Sequence, residues 1–164
     1  MSKIDEYVKE GKFENFDYND GKWNLLGNLT ARIRGYFAQT RAFINSYVSD
    51  TSNFAGDEGI IARHKQALTI ISRAEKFVYS SLDNYLKEVT HRISKGSDDE
   101  WRDDLKKLML FTKGRMSEAI RILVTRKDGK AIFGQDADEL TRKVMSDMQA
   151  EVHRAANSRN KDVV

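Results

Sequence analysis

KWNLLGNLTARIRGYFAQTRAFINSYVS, residues 22–49, is the stretch that decides the fold. Leu26, Ile33, Thr40 and Tyr47 recur every seven residues. Leu29, Tyr36 and Phe43 form a second row, and Phe37 and Ile44 a third. Rows at this spacing share one broad apolar face of an α-helix. A helix of this length is about 40 Å long, so its partners must be long as well. The stretch is also unusual in charge. It holds Lys22, Arg32, Arg34 and Arg41 and no acid, in a chain of 28 basic and 25 acidic residues.

The same period continues beyond it. A second helix is expected over about 57–93, with Ile61, His64, Leu68, Ile71, Val78, Leu82, Tyr85 and Val89 inward and Ala67, Ala74 and Phe77 flanking. Ser97 and Glu100 have the spacing of a capping box, in which two side chains satisfy the free amides of a helix start. The helix that follows carries Trp101, Leu105, Leu108, Thr112, Met116, Ala119 and Leu123, with Gly114 as a possible bend. Asp128-Gly129 signals a turn. Asp136 and Glu139 cap a last helix with Leu140, Val144, Met148 and Val152. The chain has no proline, which suits long helices joined by short connections. The expected fold class is therefore all-α, an antiparallel bundle of four long helices with a short N-terminal helix. One domain spans 1–164, with residues 1–21 as an N-terminal arm and 157–164 as a frayed tail. Phe13, Phe16 and Tyr18 in the arm are expected to lap over the bundle.

Composition excludes several chemistries. There is no cysteine, hence no disulfide and no thiolate metal site. The N-terminus lacks the apolar core of a signal peptide, and no run reaches the roughly 20 apolar residues that span a bilayer. A cytoplasmic protein with no membrane partner is expected.

Candidate catalytic patterns fail on inspection. GKAIFGQD (129–136) has the glycine spacing of a phosphate loop, but Gln135 and Asp136 replace its lysine and hydroxyl residue. Glu88 and His91 are spaced i, i+3, as in di-iron bundles, which need a second such pair. Glu151 and His153 stand at i, i+2 and diverge. His64 on an apolar row reads as a hydrogen-bonded core histidine. The expectation is no enzyme, no metal and no cofactor.

Charge is the remaining lead. Residues 105–130 hold eight bases and two acids, while 1–21 and 94–104 are acidic. Helix dipoles explain acids at helix starts and bases at helix ends. They do not explain 22–49. An electropositive surface facing an anionic partner does. The candidate phosphate contacts are Arg32, Arg34, Arg41, Lys106, Lys113, Arg115 and Arg121. Arg34 and Arg41 fall on one flank of the first helix and Arg32 on the other.

NLTARIRGYFAQTRAFINSYV resembles a segment of the small helical subunit of type III CRISPR effector complexes. The matching positions are Leu29, Thr30, Ile33, Arg34 and Tyr47. LKKLMLFTKGR, ending in Gly114 and Arg115, is loosely similar to a second segment of that family. Residues 50–97 depart from the pattern by supplying a whole extra helix. The resemblance implies a basic helical bundle that lines a ribonucleoprotein filament and holds a guide–target duplex through its backbone.

Two functions compete. One is a non-catalytic, nucleic-acid backbone-binding subunit of a larger ribonucleoprotein assembly, taking RNA in preference to DNA and packing with other subunits or copies of itself. The other is a small protein-binding adaptor or inhibitor of mobile-element type. Its support is Leu110, Phe111 and Ile122, which lie off the main apolar row.

Overall fold

The computed structural model describes residues 22–49, 59–90, 98–131 and 134–162. These form four helices: α1 (Lys22–Ser49), α2 (Ile60–Thr90), α3 (Asp98–Val124) and α4 (Ala137–Asp162). No strand occurs among the described residues; Lys130 and Asp136 make one isolated bridge in the α3–α4 connection. The expected N-terminal arm and short helix, Ser97 of the expected capping box and His91 lie outside the described residues.

Cross-helix contacts fix the directions. Arg41 meets Glu75 while Asn45 meets His64, so α1 and α2 are antiparallel. Tyr85 meets Trp101 and Phe77 meets Phe111, so α2 and α3 are antiparallel. Gly35 meets Val152 while Thr40 meets Met148, which sets α4 against α1 in the same sense. The helices therefore run up, down, up, down. α1 and α3 each pack on all three other helices, whereas α2 and α4 lie on opposite sides of the α1–α3 pair.

The periodic rows become the core. Leu26, Ile33, Thr40 and Tyr47 are buried, as are Leu29, Tyr36, Phe37 and Ile44. The whole expected α3 row, Trp101 to Leu123, is buried too. Thr30, Thr40, Thr112 and Thr141 enter the core because each hydroxyl donates to the carbonyl four residues earlier. That contact satisfies the hydroxyl, so its burial carries little penalty.

One row shifts. Ile61 is 77% exposed, and Ile60 is buried in its place. The inward row of α2 is Ile60, Ala67, Ile71, Ala74, Val78, Leu82 and Leu86. Phe77, expected to flank the core, is 54% exposed. The expected row leaves the buried line at both ends, where Ile60 and Leu86 are buried and Ile61 and Tyr85 are not, and packing against α1 and α3 selects the neighbouring register.

Helix ends follow local chemistry. Gly59 has a φ of 85°, a left-handed conformation that a side chain rarely adopts, and its carbonyl accepts from Arg63 N as α2 begins. Arg63 Nε in turn donates to Leu123 O at 3.1 Å, capping the end of α3. Asp136 Oδ1 accepts from Glu139 N at 3.0 Å, the expected N-cap of α4. Asp128 Oδ1 accepts from Lys130 N, closing the expected turn. α3 runs unbroken through Gly114, which faces open space.

Candidate nucleic-acid interface

Much of α1 is buried, and a buried unpaired carboxylate is costly, so burial accounts for part of its lack of acids. Packing on every other helix is not the whole cause, because α3 does the same and holds Asp98, Asp99, Glu100, Asp103, Asp104 and Glu118. The exposed positions of α1 beyond residue 25 are Arg34, Ala38, Gln39, Ala42, Asn45, Ser46 and Ser49. Arg34 is the one cation among them.

The two arginines on the α2 side share a groove. Arg34 and Arg41 line it together with Ala31, Gly35, Ala38, Glu75 and Tyr79. Arg41 is engaged there. Its Nε donates to Glu75 Oε1 at 2.8 Å, its Nη2 reaches the same oxygen, and Nη2 also donates to Ser72 Oγ at 3.1 Å. Arg32 points the other way, as its phase requires. It is 8% exposed, and its Nη1 donates to Nδ1 of His153 on α4 at 2.7 Å.

The candidates on α3 spread around that helix. Arg115 pairs with Glu118 at 2.6 Å, and Arg121 Nε lies 3.1 Å from Asp138 Oδ1. Lys106 is exposed. Lys113 is half-buried, with Nζ 5.8 Å from the centre of the Tyr36 ring, a favourable position for a cation over a π face.

Thus Arg32 meets His153, while Lys113 lies over Tyr36 on the same helix as Arg32. Burial, followed by the charges of Arg32 and then Lys113, holds the His153 imidazole below its ordinary value. His153 was missed as a partner of Arg32 because it lies 121 residues away in the chain. Its position next to the buried Val152 of α4 was the available signal.

A second surface combines aromatic and basic groups. Phe77 of α2 and Phe111 of α3 meet with ring centres 5.0 Å apart, and both are exposed. The guanidinium of Arg115 lies 5.6 Å from the Phe111 ring centre. Arg73 precedes Phe77 by four residues and Lys107 precedes Phe111 by four, so each shares a helix face with its phenylalanine. Because α2 and α3 are antiparallel, Lys107 falls at one end of the aromatic pair and Arg73 and Arg115 at the other. All three cations are exposed. Leu110, beside Phe111, is 68% exposed, and Ile122 is half-buried.

Among the described residues, no group of three or more histidine or acidic side chains is placed to hold a metal. Among the described residues, no helix is long and apolar enough to cross a membrane. No family model, curated protein or solved structure matches this chain.

Proposed function

We propose that this chain is a non-catalytic, nucleic-acid backbone-binding helical subunit of a larger ribonucleoprotein assembly. The observation that carries this reading is the exposed Phe77–Phe111 pair with Lys107 at one end and Arg73 and Arg115 at the other. Unpaired bases stack on aromatic faces, while flanking cations meet phosphates; neither contact requires a base-reading motif. Arg34 and Lys106, both exposed, extend the positive surface onto other flanks of the bundle. The resemblance to the small helical subunit of type III CRISPR effector complexes favours RNA over DNA and a position among other subunits.

The experiment is binding to a fluorescent single-stranded RNA over a range of salt. An Arg73→Gln/Lys107→Gln variant is expected to lower the salt slope by about 0.7 per lost contact, uniformly across sequences. Phe77→Ala is expected to weaken binding by about 1–3 kcal/mol with the slope unchanged. Absence of binding at low salt, to RNA or DNA, by the chain alone and in its assembly, overturns the reading.

Leu110 supports the second reading, a protein-binding adaptor. A large apolar side chain exposed beside Phe111 suits an apolar partner surface better than a phosphate backbone. A partner bound there would be lost in Leu110→Asp and indifferent to salt.

A further inference from the structure

Ser117 and Arg121 of α3 and Arg142, Met145, Ser146 and Gln149 of α4 line an open cleft of about 400 Å³. We propose that this cleft binds a phosphate ester of about nucleotide size, with the phosphate on Arg121 and Arg142. The inference rests on the nucleic-acid reading for one source of that ester, a unit of an RNA strand, and not for the chemistry of the cleft.

The lining follows from spacing. Ser117 and Arg121 stand four apart on α3, and Arg142, Met145, Ser146 and Gln149 stand at i, i+3, i+4 and i+7 on α4, so each set shares a helix face. The contact of Arg121 Nε with Asp138 Oδ1, at 3.1 Å, ties the end of α3 to the first turn of α4. It uses one of the five N–H donors of the guanidinium. Both side chains are well exposed, at 59% and 62%, so the pair is weak and does not lock Arg121 away from a ligand. Arg142 is exposed and has no ion-pair or hydrogen-bond partner among the described residues. Asp138 and Glu139 stand outside the lining, whose charged members are both arginines.

The rest of the lining sorts by chemistry. The side chains of Ser117, Ser146 and Gln149 make no hydrogen bond among the described residues, and each can donate and accept. The hydroxyl of Thr141, also in the lining, already donates to Ala137 O at 2.8 Å. Half-buried Met145 supplies a polarizable apolar wall. Guanidinium forks match oxyanions, and two forks from different helices suit the several oxygens of a phosphate better than the two of a carboxylate. The volume is on the scale of small-molecule sites and exceeds what a bare ion fills. The ligand therefore has a body as well as a charge. Polar edges of that body meet the two serines and Gln149, and an apolar or ring face lies on Met145.

The test is a titration with adenosine monophosphate, read by calorimetry and by the methyl NMR signal of Met145. Adenosine and inorganic phosphate are the controls. The monophosphate is expected to move the Met145 signal and to bind about tenfold tighter than either control. Arg142→Gln, at an exposed position, is expected to weaken that binding about tenfold while leaving the helical circular dichroism unchanged. A Met145 signal unmoved by the monophosphate, equal affinity for either control, or undiminished binding by Arg142→Gln overturns the site. Single-stranded RNA forms the second arm. RNA that moves the Met145 signal makes the ester a unit of the strand. If the monophosphate moves that signal and RNA does not bind, the site stands with a free nucleotide as ligand and the nucleic-acid reading falls. If RNA binds wild type and Arg142→Gln alike while the monophosphate leaves Met145 unmoved, the site falls and the nucleic-acid reading stands.

Discussion

Arg32 and Arg41 sit nine residues apart on the same helix and meet opposite fates. Arg41 faces α2 and finds Glu75, a carboxylate. Arg32 faces α4 and finds His153, a group that becomes a like charge when protonated. The first contact is a partly exposed ion pair, with side chains 38% and 22% accessible. The second is a buried cation held by a neutral acceptor. Net charge counted along the sequence treats the two arginines as equal. In the bundle, one meets a carboxylate, while the other meets an imidazole. Positive potential is thus a property of where helices meet, not of how many bases a segment carries.

The contrast breaks most severely if α1 itself is loosened. Ile33 is fully buried between the two arginines. Ile33→Ala is expected to cost about 2–5 kcal/mol in chemical unfolding, since the cavity cannot collapse without moving neighbouring helices. A loss under about 0.5 kcal/mol would show that the α1 rows do not form the core.

A narrower break separates α1 from α4 alone. A side-chain carbon added at Gly35 would lie 3.2 Å from Val152 Cγ2 and 3.3 Å from Cγ1. Gly35→Leu therefore forces the helices apart beside the Arg32–His153 contact. A cost of about 1–3 kcal/mol is expected, together with a shift of the His153 ring signal as its contact with Arg32 is lost.

pH sharpens the contrast without changing the packing. His153 has its folded-state value below the ordinary 6.5 of the unfolded chain. As pH falls through that window, the unfolded chain takes up the proton first. The contribution of the neutral imidazole is fully present above about pH 6.5 and is lost as pH drops through the folded-state value. Urea midpoints compared between about pH 7.5 and about pH 5.5 should fall less in His153→Gln than in wild type. An equal fall in both chains would assign the acid sensitivity elsewhere.

The smallest effect belongs to the paired side. A double-mutant cycle on Arg41 and Glu75 should return no more than about 1 kcal/mol, because exposure screens the pair. Added salt should shrink that coupling. A coupling several times larger would make the α2 side the stronger anchor of α1.

Most of the fold was legible because burial follows period. The α1 and α3 rows needed nothing beyond spacing, and the Asp136 cap needed its own geometry with Glu139. Ile60 and Ile61 could not be separated, because adjacent isoleucines compete for one inward position and neighbouring helices choose between them. Phe77 was read as flanking the core for a related reason: at the edge of an apolar face, periodicity does not say how far the next helix reaches. The opposite flanks of Arg34/Arg41 and Arg32 were legible from phase alone. What those flanks meet was not, since Glu75 and His153 come from other helices. His153 carried no local motif, and its partners arrive through tertiary packing.

The placement of α2 and α4 on opposite sides of the α1–α3 pair has a kinetic consequence. α4 packs on α1 and α3 and hardly on α2, so its opening is expected to leave the contacts among α1, α2 and α3 in place. Among its residues 137–155, those buried are Ala137, Thr141, Met148 and Val152. Cooperative openings cheaper than global unfolding are drawn from such elements. Backbone amides of α4 should therefore exchange with solvent deuterons as one early unit, ahead of the α1 and α3 interior, and the rate of that opening should rise as His153 takes up its proton.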